Sequence, residues 1–108
     1  MSVTIRLADH ILNTPYDQIP PDVREHAKKS LLNWLGVTVG AIRHPVVDIL
    51  LETAKVYESA PQVTILGRKE KTDLLTAVLI NGASSHIFDY DDTHLDTIHH
   101  PSGPVAPV

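Results

Sequence analysis

Apolar residues recur at helical spacing along most of this 108-residue chain, and the spacing predicts a succession of helices joined by short turns. Ile5, Ala8, Ile11 and Leu12 predict a short amphipathic helix over Thr4 to Leu12. It should end near Asn13, before Thr14-Pro15, because a proline pushes its predecessor out of the α region. Pro21 should open a second helix, since its ring suits the first helical position. Asp22 and Glu25, in the first turn, complement the positive end of the helix dipole. Val23, Ala27, Leu31 and Trp34 mark the expected buried stripe of this helix. Further on, LLNWLGVTVGAI is apolar on nearly all sides, which predicts packing by neighbours all round. It falls short of the about 20 apolar residues that span a bilayer. Gly36 and Gly40 lie one turn apart inside it, each costing about 1 kcal/mol relative to Ala. Close approach of another helix backbone is the expected reason.

After a break at Arg43-His44-Pro45, Val47, Leu50, Leu51, Ala54 and Tyr57 share one face of a third helix, stopped by Ser59-Ala60-Pro61. Gln62 to Leu66, with β-branched Val63, Thr64 and Ile65 ahead of Gly67, predicts a short extended segment that makes no stable sheet by itself. The run RKEKT reads as a polar turn. From about Thr72, a candidate N-cap, Leu75, Leu79, Gly82, His86 and Asp89 fall on one face of a single helix, so an apolar stripe runs into a polar one. Gly82 is expected to mark close backbone approach. No repeat or low-complexity tract interrupts the pattern. The expected fold is all-α, a helical bundle fragment formed as one unit by residues 1–108, burying roughly two-thirds of the extended-chain surface at best.

Charge and composition narrow the partners. A net charge of −4, nine Lys plus Arg without a basic cluster, and only five aromatics (one Trp, three Tyr, one Phe) argue against nucleic acid and against an anionic membrane. With no cysteine there is neither a disulfide framework nor a thiolate zinc site. The start, MSVTIRLADHIL, lacks the basic stretch and long apolar run of a signal peptide, so a cytoplasmic location is expected.

The chemistry is concentrated in NGASSHIFDYDDTHLDTIHHPSGPVAP, from Asn81 to Pro107. It carries Asp89, Asp91, Asp92 and Asp96 together with His86, His94, His99 and His100. Carboxylate and imidazole move protons near neutral pH and also ligate metals, so both a general acid/base site and a metal site are open. The metal reading closes His86, Asp89 or Asp92, and His99 or His100 on a divalent ion, without any tight pattern such as H-x-x-x-H on one helix. Plainer roles compete with both. Asp89, Asp91 and Asp92 suit capping and solvation at a helix end. His100 could be a loop histidine bonded to backbone, and His86, facing the apolar stripe, a buried and satisfied one; His94, Asp96 and His99 are expected in solvent or supporting the site. A further reading from another class is a structural or interaction fragment whose apolar faces need a complementary chain.

The run NG-x-x-x-H-x-x-D-Y-D-D-T-H followed by H-P-S-G-x-x-x-P, with LLNWLGVTVGA and ILGR upstream, resembles the MmgE/PrpD family, which includes 2-methylcitrate dehydratase, cis-aconitate decarboxylase and iminodisuccinate epimerase. Where this chain has Asn33 the family often has Asp. The resemblance covers nearly the whole chain, in order. Members are several times longer, so it implies the amino-terminal part of a large helical domain into which a smaller α+β lid is inserted. It implies Asp89 and His100 as catalytic residues and Thr93 as substrate-binding, with a second His, a Lys and a Tyr of the pocket lying beyond Val108. The Thr93 to His100 interval is one residue longer than in animal decarboxylases, which argues against that branch. By the same resemblance the activity is that of a lyase or isomerase of small di- or tricarboxylates with no cofactor and no metal. The expected association is a homo-oligomer, a dimer, or a complex with the remainder of the fold. Dehydration, decarboxylation and epimerisation of such substrates all move a proton at carbon next to a carboxylate or an activated double bond. Imidazole of His100 suits proton delivery, Asp89 suits a base or an orienting group, and Thr93 suits a hydrogen bond to a substrate carboxylate. A polyanionic substrate also needs cations, and none follows Lys71, so the segment is expected to be inactive alone.

Overall fold

A computed structural model describes residues 2–57 and 60–108. The fold is all-α: helices α1 (Val3–Asn13), α2 (Pro21–Ala41), α3 (Pro45–Lys55), α4 (Leu74–His86) and a single turn, α5 (Ser102–Val105). A 3₁₀ turn at Tyr16–Gln18 links α1 to α2. Two-residue strands β1 (Val63–Thr64) and β2 (Lys71–Thr72) pair antiparallel, Val63 opposite Thr72 and Thr64 opposite Lys71. Helix α4 is the hub, packing against α2, α3, α5 and both strands.

The helix starts follow from local chemistry. Ser2 accepts from Ile5 N at 3.3 Å to open α1. His44 Nδ1 accepts from Val46 N at 3.3 Å to open α3, with Pro45 in the first helical position. Asp73, and not Thr72, caps α4, accepting from Thr76 N at 3.0 Å. Thr72 lies one residue earlier, on β2, so part of the polar RKEKT run is strand. Helix α3 ends at Lys55, leaving Tyr57 beyond it and exposed; Ser59, expected among its stop residues, lies outside the described residues.

The core gathers Ile42, Val47, Leu51, Ile65 and Ile80, with Leu50 and Ile87 packed against it. Removing side chains of this size from water contributes about 1.5–3 kcal/mol each. Polar links tie the hairpin to this core. Asn81, buried on α4, donates to the Thr64 carbonyl at 3.2 Å and accepts from Leu66 N at 3.0 Å. Arg68 Nε donates to the Ile42 carbonyl at 3.1 Å while its guanidinium pairs with Asp48. Gly67 turns between them at φ 77°, where a Cβ would stand 3.3 Å from Ile42 Cγ2.

Three packing expectations are corrected. Helix α2 is not covered all round: Trp34, Thr38 and Ala41 are buried, whereas Val23, Leu31, Leu32, Leu35 and Val39 are exposed. A Cβ on Gly36 or Gly40 would meet nothing within 4 Å, so among the described residues no other helix backbone approaches there. The reason is that α4 and α5 cover one side of α2 only. On α4, the stripe of Leu75 and Leu79 faces outward, and the buried side is Ala77, Ile80, Asn81, Ser84 and Ser85. Small residues let neighbouring elements close on that side, and Ser84 satisfies its hydroxyl on the Ile80 carbonyl at 2.8 Å. Amphipathic α1 likewise buries none of its residues. Among the described residues no single helix is long and apolar enough to cross a membrane, and α2 and α3 meet at 81°.

Candidate active site

Helix α4 stops at His86, and the chain leaves it through Asp89, whose φ of 55° is the left-handed conformation that Asp tolerates better than most residues. Asp89 is therefore not on the last helical turn, as its spacing had predicted. Its N–H still reaches the His86 carbonyl, at 3.1 Å. From α2, Asn33 Nδ2 donates to the Tyr90 carbonyl at 3.1 Å and pins the turn. This brings Asp91 back to His86.

Asp91 is the centre of the site. Its carboxylate is 1% exposed, yet among the described residues no Lys or Arg pairs with it. Its partners are imidazoles. His86 Nδ1 lies 3.1 and 3.2 Å from the two carboxylate oxygens, and His100 Nδ1 lies 3.5 Å from Oδ2. The two rings stand 4.9 Å apart, tilted by 60°. On its far side His100 turns Nε2 toward Asp89 Oδ1, 3.7 Å away. Thr93 Oγ1 sits 3.4 Å from His100 Nδ1 and 3.4 Å from the Asp91 carbonyl. A buried carboxylate without partners is costly, so this arrangement constrains both rings as much as they satisfy it.

The segment after Thr93 closes the site. His94 and His99 form an antiparallel bridge, His94 N donating to the His99 carbonyl at 2.8 Å, around Ile98 at φ 52°. His94, Asp96 and His99 are exposed, as expected. Asp92 turns away to cap α5, accepting from Ser102 N at 3.2 Å and Ser102 Oγ at 2.7 Å, which is the capping role open to this acid. The chain then crosses Asp91 at Gly103, where a Cβ would stand 3.7 Å from Asp91 Oδ2 and 3.8 Å from Ser85 Oγ. Gly82 faces the same crossing, its Cβ position 3.8 Å from the Gly103 carbonyl and 3.6 Å from Pro107 Cγ.

Between these elements lies a cleft of about 370 Å³ lined by His86, Asp91, His99 and His100 with Gly82, Ile98, Gly103 and Pro104. Among the described residues no Lys or Arg lines it. A larger hollow of about 530 Å³ at Arg43 and Gly67 to Glu70 is remote from this chemistry, and its Arg68 is occupied by Asp48 and the Ile42 carbonyl.

The structure thus brings Asp89, Thr93 and His100 together around one imidazole. It also adds two groups that the resemblance did not select, of which His86 is a candidate in the metal reading. His86, expected in the apolar interior, has a side chain 58% exposed and directed to Asp91; Asp91 itself, read as one of an acidic cluster, is the buried hub. The i, i+5 spacing of His86 and Asp91 places them together only if the helix ends between them, which helical periodicity does not reveal. His86, Asp89, Asp91 and His100 each offer one ligand atom within 4.8 Å of the others, so the set can also hold a metal ion. Asp92 and His99, candidates in the earlier metal reading, are not in it.

The all-α frame thus carries a cleft centred on one buried carboxylate and two imidazoles. The chain belongs to the MmgE/PrpD family, its residues 5–108 matching the MmgE/PrpD N-terminal domain. No curated protein matches it.

Proposed function

We propose that this chain is the amino-terminal, proton-transferring portion of a lyase or isomerase acting on small di- or tricarboxylates, in the manner of a 2-methylcitrate dehydratase. The observation that supports it most is the convergence of Asp89, Asp91 and Thr93 on one imidazole, His100, at the edge of a cleft. In this reading His100 carries the proton to or from carbon next to a substrate carboxylate. Asp89 and Asp91 flank the ring and stabilise it when it is protonated, which is the logic of a base held by an orienting acid. Thr93 serves a substrate carboxylate once its present contacts loosen. Family membership supports the reaction class.

The cleft has no Lys or Arg to offset a polyanion, and electrostatic stabilisation of developing charge is commonly the largest catalytic contribution. Catalysis therefore requires cations from elsewhere, and the exposed apolar faces of α1, α2 and α4 suit either self-association or docking of the remainder of the fold. The test is turnover of 2-methylcitrate, cis-aconitate and iminodisuccinate by this segment joined to the carboxy-terminal remainder of a family member. Turnover that disappears with His100→Ala supports the reading, and turnover indifferent to that change removes it.

A second reading is a divalent-metal site on His86, Asp89, Asp91 and His100, favoured by the mutual reach of their ligand atoms. Elemental analysis of protein purified without chelator separates the two. Stoichiometric zinc, manganese or iron that is lost with His86→Ala would establish the metal.

A further inference from the structure

We infer that Asp91 is a positioning residue that fixes the tautomer of both imidazoles, holding a proton on Nδ1 of His86 and of His100 and leaving Nε2 of each as the basic nitrogen. This deepens the acid/base reading given above, but its observations and its readout need no substrate.

The argument is one of donors and acceptors. A neutral imidazole carries its proton on one nitrogen, and the partners of the other decide which. His86 Nδ1 faces both oxygens of Asp91, at 3.1 and 3.2 Å, and a carboxylate only accepts. An unprotonated Nδ1 there would set lone pair against lone pair beside a carboxylate shielded from water. Two groups face His100 Nδ1. One is Asp91 Oδ2 at 3.5 Å, again an acceptor. The other is Thr93 Oγ1 at 3.4 Å, whose own hydrogen is directed to the Asp91 carbonyl 3.4 Å away, so its oxygen is left to accept. Every group facing either Nδ1 therefore calls for a proton on that nitrogen.

The consequence lies at the opposite edge of each ring. His100 Nε2 also faces a carboxylate, Asp89 Oδ1 at 3.7 Å, but that side chain is 75% exposed and water serves its lone pairs. Asp91, at 1% exposure, has only the rings, so the proton stays on Nδ1 and Nε2 is left to accept one. His86 presents a second basic Nε2 on a ring 4.9 Å from the first. Asp91 thus sets two imidazoles in one protonation pattern from a buried position, its side chain 1% exposed. Asp89 cannot do this, because it meets His100 alone and on the reacting edge.

The test is a long-range proton–nitrogen correlation spectrum of the full 108-residue chain labelled with ¹⁵N-histidine. It is recorded at about pH 8, where an ordinary imidazole is neutral. His86→Gln and His100→Gln assign the two rings. The expected result is a pyridine-type nitrogen at Nε2 for both His86 and His100. Asp91→Asn, whose amide cannot accept twice, should move that signal to Nδ1 in at least one ring, while Asp89→Asn should leave both unchanged. Protons on Nε2 of both rings in the unmodified protein would overturn the inference even if the Asp91 variant fails to fold. So would an Asp91→Asn protein whose two rings keep the original pattern. Because turnover is not measured, absence of lyase activity would defeat the proposed function without touching this result.

Discussion

The core around Ile42, Val47, Leu51, Ile65 and Ile80 and the site between His86 and Gly103 are built on opposite plans. In the core, side chains are buried because they are apolar, and the contacts are interchangeable in kind. In the site, Asp91 is as buried as those isoleucines, and it is tolerated because two imidazoles meet it in defined geometry. The core determines where the polar loop stands, through α4. The loop's own polar pairs determine which atoms face the cleft. Damage to the first should appear as lost stability, and damage to the second as lost chemistry.

The largest expected effect tests the second half of that contrast. In a complete enzyme carrying this segment, His100→Ala or Asp89→Ala should lower turnover by at least about 10²-fold with the fold retained, the low end of general acid/base contributions. His94→Ala, on the exposed bridge, should be mild. An equal collapse at His94 would mean that the wrong imidazole has been placed against the substrate.

For the core, Ile80→Ala should cost about 2–5 kcal/mol in denaturant unfolding, because the side chain is fully buried and its removal leaves a cavity. A loss under about 1 kcal/mol, the scale of a conservative swap, would show that this part of α4 is loosely packed. Asn81→Ala probes the link between the two regions. It leaves the Thr64 carbonyl and Leu66 N–H without their partner, at a cost of about 0.5–1.5 kcal/mol, the net worth of a hydrogen bond whose groups water can partly reach. Amide exchange at Leu66 should then rise sharply, and unchanged protection there would contradict the bonding described.

The smallest effect has the opposite sign. Gly36→Ala should stabilise by up to about 1 kcal/mol, since a Cβ there meets nothing within 4 Å and Ala is the better helix former. Marked destabilisation would indicate that another chain does pack against that face of α2.

The same contrast explains what could be read from the sequence. Helices α1 to α4 were legible because Pro21, Pro45 and the apolar spacing act locally, within a turn or two. The buried side of α4 was not, because Leu75 and Leu79 carry the stronger apolar signal while small Ala77 and Ser84 permit the closer packing. Gly36 and Gly40 misled for a related reason: their cost to a helix is local, but what approaches them is decided elsewhere. At the site, the resemblance selected Asp89, Thr93 and His100 from motif positions. The pairing of Asp91 with His86 was not legible, because it depends on the left-handed turn at Asp89, a backbone event without a periodic signature.

The most direct test of the central claim, that the segment holds a partial site on an incompletely covered helical frame, is light scattering after size-exclusion chromatography. It is run beside turnover assays on 2-methylcitrate, cis-aconitate and iminodisuccinate. The account predicts self-association through the exposed faces of α1, α2 and α4 and no turnover of any of the three. A monodisperse monomer that converts one of them would contradict it, because residues 1–108 would then complete both the core and the site.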